Sequence, residues 1–179
     1  MKKVFAFLPK PEGCFAVFTE NDTGTYTFRF VEDLPTGTRN NIKVKEFAKN
    51  LWECREEDEE VIAVIVRPDN RAGDDLKTLT KVAYNVATVK AILDLENFRT
   101  YWINRAKNWQ AFFNLLDLLP SSNNSIKTAA VNKLKEIYPE LEVNRYQQAE
   151  AILIGIYGIY NILKSRVEGV KDGTGANEQ

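Results

Sequence analysis

Glu150 is a lone carboxylate in an apolar stretch late in the sequence. Its neighbours Ala149, Ala151 and Ile154 belong to an apolar run over 147–158, in which small and apolar side chains recur at helical spacing. A helix that is apolar on nearly all sides is normally buried. Glu150 must therefore lie where the helix reaches solvent, pair with another group or serve a functional site. The simpler alternative is a glutamate that the helix dipole favours near the start of a helix.

The chain contains no histidine and two cysteines, Cys14 and Cys54. The lack of histidine removes the commonest general base, the Ser–His and Cys–His nucleophiles and every imidazole metal site. The two cysteines form no CxxC motif, so the sequence indicates neither a zinc knuckle nor a redox pair. We expect free thiols and a reducing, cytoplasmic compartment. No segment has the pattern of a signal peptide or the apolar length of a membrane span, so we expect no membrane association.

The composition is typical of one soluble globular domain. Apolar residues make up 44% of the 179 residues and charged residues 27%, with a formal net charge of −1. This balance gives no bulk basic field of the kind that non-specific DNA binders carry, although a local basic face is compatible with it. We predict one domain over residues 1–166 and a disordered polar tail over 167–179.

The apolar patterns predict an α/β fold with a mixed five-stranded sheet flanked by helices. The first three strands form an antiparallel meander, and the later strands are parallel and crossed by helices. The predicted strands cover residues 4–8, 14–19, 25–31, 61–66 and 100–104. The predicted helices cover residues 44–55, 74–97, 112–119, 125–137 and about 147–166. The predicted core face of the first helix consists of Val44, Phe47, Ala48, Leu51 and Trp52.

Three segments of the second half carry a resemblance to a known family. They are residues 106–109 (Ala-Lys-Asn-Trp), residues 125–139 (opening on Ser-Ile-Lys and closing on Tyr-Pro) and residues 148–158 (Gln-Ala-Glu-Ala-Ile-Leu-Ile-Gly-Ile-Tyr-Gly). This pattern resembles the C-terminal half of the phage-type RuvC Holliday-junction resolvases, and the layout agrees over about residues 4–165. The resemblance implies a ribonuclease H-like fold, a DNA partner and a homodimer.

Such enzymes use four carboxylates to hold two divalent cations, which require oxygen ligands. The resemblance places the four acids at Leu8 or the residue after it, at Val66, at a position near Gln147 and at Glu150. Of these residues only Glu150 is acidic. We therefore predict a degenerate site with no metal and no other cofactor. Mg²⁺ enters only in an alternative in which nearby loop acids rebuild the site. The acids that such an alternative would recruit are Glu12, Glu20, Asp69, Asp74 and Asp75.

Basic residues occur near the positions at which the family's acids are missing. The resemblance places one group of cations around the former metal cleft: Lys10, Arg67, Arg71 and Arg145. A second group flanks Tyr101, Trp102 and Trp109: Arg99, Arg105, Lys107 and Lys127. Cations next to aromatic rings suit contact with a nucleic-acid backbone combined with base stacking. The alternative is that both tryptophans anchor the core, as most aromatic residues do.

Three functions remain open from the sequence. The first is a catalytically degenerate RuvC-like domain that binds branched or duplex DNA without cleaving it. The second is a structural or interaction subunit that uses the same fold to bind a protein partner, which suits the near-zero net charge. The third is an active metal-dependent Holliday-junction endonuclease with relocated acidic ligands. We favour the first.

Overall fold

The computed structural model describes residues 1–38, 41–56, 59–67, 75–116 and 123–170. These residues form five strands and five helices. The strands are β1 (Lys2–Leu8), β2 (Cys14–Glu20), β3 (Tyr26–Asp33), β4 (Glu60–Val66) and β5 (Arg99–Ile103). The helices are α1 (Val44–Glu53), α2 (Leu76–Leu95), α3 (Ala106–Phe112), α4 (Asn123–Ile137) and α5 (Tyr146–Asn161).

The strands form one mixed sheet in the order β3-β2-β1-β4-β5. β1 pairs with β2, and β2 with β3, in antiparallel fashion. β4 lies parallel to both β1 and β5. The predicted α/β architecture, an antiparallel meander followed by parallel strands, is therefore confirmed.

Helices cover both faces of the sheet, and alternate residues of each strand point to opposite faces. On β1, Val4, Ala6 and Leu8 belong to the hydrophobic cluster that also contains α5; we call this side the α5 face. Phe5 and Phe7 belong to the cluster on the other side, which includes residues of α1 and α2; we call it the α1/α2 face. The central strands are buried on both sides, which explains their continuous apolar sequences.

The apolar run that contains Glu150 forms α5, the most buried helix of the described fold. Its residues from Ala149 to Ile156 are all buried, and the helix packs on β1 and β2. Gly155 and Gly158 lie where the helix approaches the side chains of Phe18 and Val64. Because glycine has no Cβ, the helix axis comes close to the sheet at these points.

The helix predicted over 112–119 is wrong over residues 113–116, because α3 ends at Phe112, and residues 117–119 lie outside the described residues. Asn114 adopts a left-handed backbone with φ of 56°. The amide of Leu115 donates to the carbonyl of Gln110 at 2.9 Å, and that of Asn114 to Ala111 at 2.9 Å. This hydrogen-bond pattern is a Schellman motif, which terminates a helix and satisfies its last carbonyls.

The predicted core face of α1 is wrong at its two ends. Phe47 and Leu51 are buried, but Val44 is 48% exposed and Trp52 is 62% exposed. α1 has only ten residues, and its buried side chains are one turn apart. The helix thus presents a narrower apolar stripe to the sheet than the sequence pattern indicated.

The predicted tail begins too early, because residues 167–170 pack against the domain. Val167 forms a parallel bridge with Tyr26, the first residue of β3, and both side chains are buried. The amide of Tyr26 donates to the carbonyl of Arg166, and the amide of Glu168 to that of Tyr26, each at 2.8 Å. We call residues 166–170 the C-terminal strap. Residues 171–179 of the predicted tail lie outside the described residues.

Cys14 and Cys54 are both free thiols, as expected. Cys14 is buried, whereas Cys54 is half-buried. Among the helices that the structure describes, none combines the length and the apolar character that a bilayer crossing requires. The cytoplasmic location stays a prediction.

Candidate functional site

The residues at which the resemblance placed the family's four acids lie together at one edge of the sheet. Phe7 and Ile65 are the last pair of the parallel β1–β4 ladder. Leu8 follows Phe7 on β1, and Val66 follows Ile65 on β4. Both side chains are buried on the α5 face, as are Gln147 and Glu150 in the first turns of α5. The carboxyl ends of parallel strands share an edge, which is where open α/β sheets place their sites. We call Leu8, Lys10, Val66, Gln147 and Glu150 the carboxyl-edge site.

Lys10 and Glu150 form an ion pair in this site. The Lys10 ammonium lies 3.4 Å from Glu150 Oε2, and the two side chains are 40% and 5% exposed. Of the possibilities open from the sequence, Glu150 therefore pairs with another group. A buried carboxylate requires such a partner, because desolvation of an unpaired charge is costly.

The donor set of the carboxyl-edge site does not fit two divalent cations. A two-metal site needs several carboxylates, but the side chains here are one carboxylate, one amide, two aliphatic groups and an ammonium. No group of three or more Asp, Glu or Cys side chains in the described part of the chain is arranged to hold a metal ion.

The three loop acids of the alternative that the structure describes lie in different places. Glu20 lies at the opposite edge of the sheet, where it pairs with Lys2 at 3.9 Å. Asp75 caps α2 by accepting a hydrogen bond from the Thr78 amide at 2.6 Å. Glu12 is exposed in the β1–β2 turn, and Asp69 and Asp74 lie outside the described residues.

Arg145 takes part in a separate group between β3 and α5. Its guanidinium pairs with Asp33 and lies 3.6 Å from the Cys14 sulfur. The Cys14 thiol donates to Asp33 Oδ1 at 3.3 Å, and Gln148 donates to the same oxygen at 3.4 Å. We call Cys14, Asp33, Arg145 and Gln148 the Asp33 cluster. Its ion pair means that Arg145 does not serve the carboxyl-edge site as a free cation.

The sequence analysis did not single out Asp33, the residue that the other three members of the Asp33 cluster contact. A signal for it existed in the predicted hairpin, because the end of β3 must lie opposite the start of β2. In the structure Cys14 and Asp33 are direct register partners. Nothing local to residue 33 predicts its contact with Arg145, which is distant in sequence.

The other predicted basic residues divide between the two faces. The Arg67 guanidinium lies 5.3 Å from the ring centroid of Trp102, and Trp102 packs with the α1/α2 face. Arg67 therefore does not join Lys10 and Glu150 on the α5 face, contrary to the sequence prediction. Arg71 lies outside the described residues.

Three cations remain on the α5 face at the carboxyl edge. Arg105 precedes the first residue of α3, and Arg105 and Lys107 are both exposed. Neither forms an ion pair with any residue that the structure describes. The Lys127 ammonium lies 4.5 Å from the ring centroid of Tyr146, the first residue of α5. We call Arg105, Lys107 and Lys127 the basic edge.

The tryptophans next to the basic edge differ in accessibility. Trp109 is only 1% exposed and belongs to the core of the α5 face. Its indole nitrogen has no hydrogen-bond partner among the described residues. Trp109 therefore cannot stack with a base in this conformation, whereas Trp102 is half-buried beneath Arg67.

Comparison with known proteins gave similarities in structure only. No protein-family model matches the sequence, and no curated protein matches it. The structure of Thermus thermophilus RuvC in complex with a Holliday junction substrate aligns with a TM-score of 0.58 and 11% identity, covering 88% of this chain and 93% of that chain. A second structure of RuvC from the same organism aligns with a TM-score of 0.52 and 14% identity, covering 91% of this chain and 97% of the other. The yeast mitochondrial Holliday junction resolvase Ydc2 aligns with a TM-score of 0.48 and 12% identity, covering 86% and 76% of the two chains. The two RuvC alignments, taken with the strand order, show that this chain has a RuvC-like, ribonuclease H-like fold.

Proposed function

We propose that this chain is a DNA-binding protein that uses the carboxyl edge of a RuvC-like fold and does not cleave DNA through a pair of metal ions. In this proposal the protein is a catalytically degenerate relative of the phage-type resolvases. It acts in the cytoplasm, as a homodimer, and needs no cofactor. Its ligand is branched or duplex DNA.

One observation carries the proposal. Exposed cations of the basic edge lie on the same face and edge as a site whose single carboxylate is already paired with Lys10. Arg105 and Lys107 are thus available to phosphates, and Glu150 adds no unpaired negative charge to repel them. Contacts between phosphates and Lys or Arg supply most of the affinity of non-specific DNA binding.

Two further facts support this reading. The RuvC structure with the higher TM-score is a complex with a Holliday junction substrate, and it aligns over 88% of this chain. The carboxyl-edge site has one carboxylate, whereas a site for two divalent cations needs several. Binding without metal-dependent cleavage agrees with both facts.

The test is a gel-shift assay with a labelled four-way DNA junction and a linear duplex of matched sequence, in Mg²⁺, Mn²⁺ or EDTA. We expect a shifted but intact junction in all three conditions. Binding should weaken as salt is raised, because phosphate contacts release counterions.

Paired charge reversals locate the binding surface. Arg105→Glu with Lys107→Glu removes two cations of the basic edge, and Lys45→Glu with Lys77→Glu changes the charge equally on exposed positions of α1 and α2. We expect the first pair to weaken binding about tenfold or more and to reduce the salt dependence, because each phosphate contact contributes to both. The control pair should have a much smaller effect.

Two results contradict the proposal. The first is equal loss of binding in both double variants, because binding would not then involve the basic edge. The second is metal-dependent cleavage that disappears in Glu150→Gln, since the active-nuclease alternative would then hold.

A protein-interaction function is the second candidate, and a separate observation favours it. Large apolar side chains are exposed where α1 and α2 end: Trp52 is 62% exposed on α1, and Leu95 is 79% exposed on α2. These two helix ends lie close together, because Arg55 donates to the carbonyl of Glu96 at 3.2 Å. Exposed apolar residues of this size are typical of binding surfaces when they form a patch. The absence of any shift with both DNA substrates would favour this candidate.

A further inference from the structure

We infer that Lys10 is a built-in counter-ion that takes the place of a divalent cation beside Glu150 and excludes such a cation from the carboxyl-edge site. The ammonium belongs to the chain itself, so the carboxylate is neutralised without any ion from solution. The inference concerns the folded protein alone and does not depend on whether the protein binds DNA.

The burial of Glu150 creates the need for a counter-ion. Its side chain is 5% exposed, and the residues on either side of it in α5, Ala149 and Ala151, are buried and apolar. A carboxylate in such surroundings is stabilised only by a close positive charge or by hydrogen bonds. Among the ion pairs of the described residues, Lys10 supplies the one positive charge that contacts Glu150.

The β1–β2 turn places Lys10 beside this carboxylate. The Lys10 amide donates to the carbonyl of Leu8 at 2.8 Å, and the Gly13 amide donates to the carbonyl of Lys10 at 2.9 Å. A Cβ on Gly13 would lie 2.0 Å from the Leu8 carbonyl oxygen, so the turn is tight enough to require glycine there. The backbone at Lys10 is therefore fixed by two hydrogen bonds within one turn of the strand end.

The same geometry disfavours a divalent cation. An ion bound to Glu150 would be repelled by the ammonium that lies 3.4 Å from Oε2, because like charges at short range oppose each other strongly away from bulk water. It would also find no oxygen ligand in the side chains of Leu8 and Val66. A cation could coordinate Glu150 only if Lys10 moved away.

The experiment measures thermal unfolding of the full chain without DNA. Wild-type protein is compared in EDTA, in millimolar MgCl₂ and MnCl₂, and in NaCl of matched ionic strength. We expect the same Tm in the divalent salts and in matched NaCl, because Lys10 already neutralises Glu150.

Three variants test the pair itself. Lys10→Met keeps the length of the side chain but leaves Glu150 unpaired. We expect its Tm to fall by roughly 3–6 °C, since the buried Glu150 carboxylate then lacks its positive partner. The double variant Lys10→Met, Glu150→Gln should recover most of this loss. The control is Lys49→Met, which breaks the Lys49–Glu53 pair, whose side chains are 71% and 63% exposed. Exposed pairs contribute little, so its Tm should hardly change.

The response of the variants to Mn²⁺ distinguishes two roles of Lys10: a cation that occupies the place of a metal ion, and a partner that only stabilises Glu150. With Lys10 removed, Glu150 is open to a cation, so Mn²⁺ should raise the Tm of Lys10→Met above its value in matched NaCl. The double variant should not respond. Three results would each overturn the inference: specific stabilisation of the wild type by Mg²⁺ or Mn²⁺, equal effects of Lys10→Met and Lys49→Met, or no response of Lys10→Met to Mn²⁺.

Discussion

Cys14 illustrates how its neighbours set the chemistry of a single residue. Its thiol is buried and donates a hydrogen bond to Asp33. Burial, with the Asp33 carboxylate as a further cause, raises the pKa of the Cys14 thiol to about 12. Burial also raises the pKa of Cys54, which is only half-buried. The thiolate is the reactive form of cysteine, so both residues should react more slowly than a free thiol.

We predict a large difference in thiol reactivity in the native protein. At about pH 8, a pKa of about 12 leaves about one Cys14 thiol in ten thousand ionised. Cys54 should therefore be alkylated first by iodoacetamide, and Cys14 only after denaturation, as measured by peptide mass spectrometry over time. Alkylation of Cys14 in the folded protein as fast as that of Cys54 would show that the Asp33 cluster is open in solution.

At the scale of the element, the two glycines of α5 determine how closely the helix approaches the sheet. A Cβ on Gly155 would lie 2.2 Å from Phe18 Cε2 and 2.8 Å from Cζ. A Cβ on Gly158 would lie 2.9 Å from the methyl groups of Val64. Helix propensity alone favours alanine at both positions by about 1 kcal/mol. Packing and propensity therefore oppose each other here.

We predict that packing outweighs propensity at both glycines, and more strongly at Gly155. Gly155→Ala should reduce the free energy of unfolding by about 3 kcal/mol, because a buried ring must move to make room. Gly158→Ala should cost about 1–2 kcal/mol, since valine methyl groups need to shift less. Denaturant unfolding of the two variants gives the ranking directly. A Gly155→Ala protein as stable as the wild type would mean that α5 lies farther from β2 than the structure shows.

Two asparagines with left-handed backbone explain the helix ends that the sequence prediction misplaced. α2 and α3 both end where an asparagine turns left-handed, Asn97 with φ of 57° and Asn114 with φ of 56°. Asparagine tolerates this conformation better than most residues, and it often follows a helix. The apolar periodicity continues through Asn114, so the pattern alone moved the third helix past its end. When a helix end is predicted from sequence, an asparagine that can terminate the helix should therefore count for more than a short apolar run that continues past it.

At the scale of the whole molecule, the C-terminal strap joins distant parts of the chain. It pairs with the start of β3, and the Tyr138 hydroxyl at the end of α4 donates to the Glu168 carbonyl at 3.0 Å. β3 is an edge strand of the sheet, and exposed edges are open to unwanted pairing. The strap pairs with Tyr26, the first residue of this edge strand, and its own Val167 side chain is buried.

We predict that Val167→Asp destabilises the whole domain although it lies outside every helix and named strand. A charge at this buried position has no partner, so the free energy of unfolding should fall by about 3 kcal/mol, or roughly 6–12 °C in Tm. Lys164→Asp is the matched control, because Lys164 is exposed and aspartate tolerates its left-handed backbone. Equal Tm values for the two variants would indicate that residues 166–170 do not pack on β3 in solution.

The sequence by itself determined the sheet and its layers. Runs of β-branched and aromatic residues predict all five strands, and the turn chemistry before β3 predicts the hairpin, because both signals are local. A continuous apolar run such as that of β4 also predicts burial on both faces. Glu150 stands out for the same reason, since one carboxylate in an apolar helix needs a partner wherever the helix lies.

Only the tertiary structure decided which charges meet. Lys10 and Glu150 are 140 residues apart, and no local pattern links a turn after β1 to the second turn of α5. Arg67 follows Ile65 by two residues, which directs it to the α1/α2 face and away from Glu150, as its contact with Trp102 shows. Residue types and periodicity thus specify the elements, whereas contacts between distant side chains depend on how those elements pack, which is a property of the whole chain.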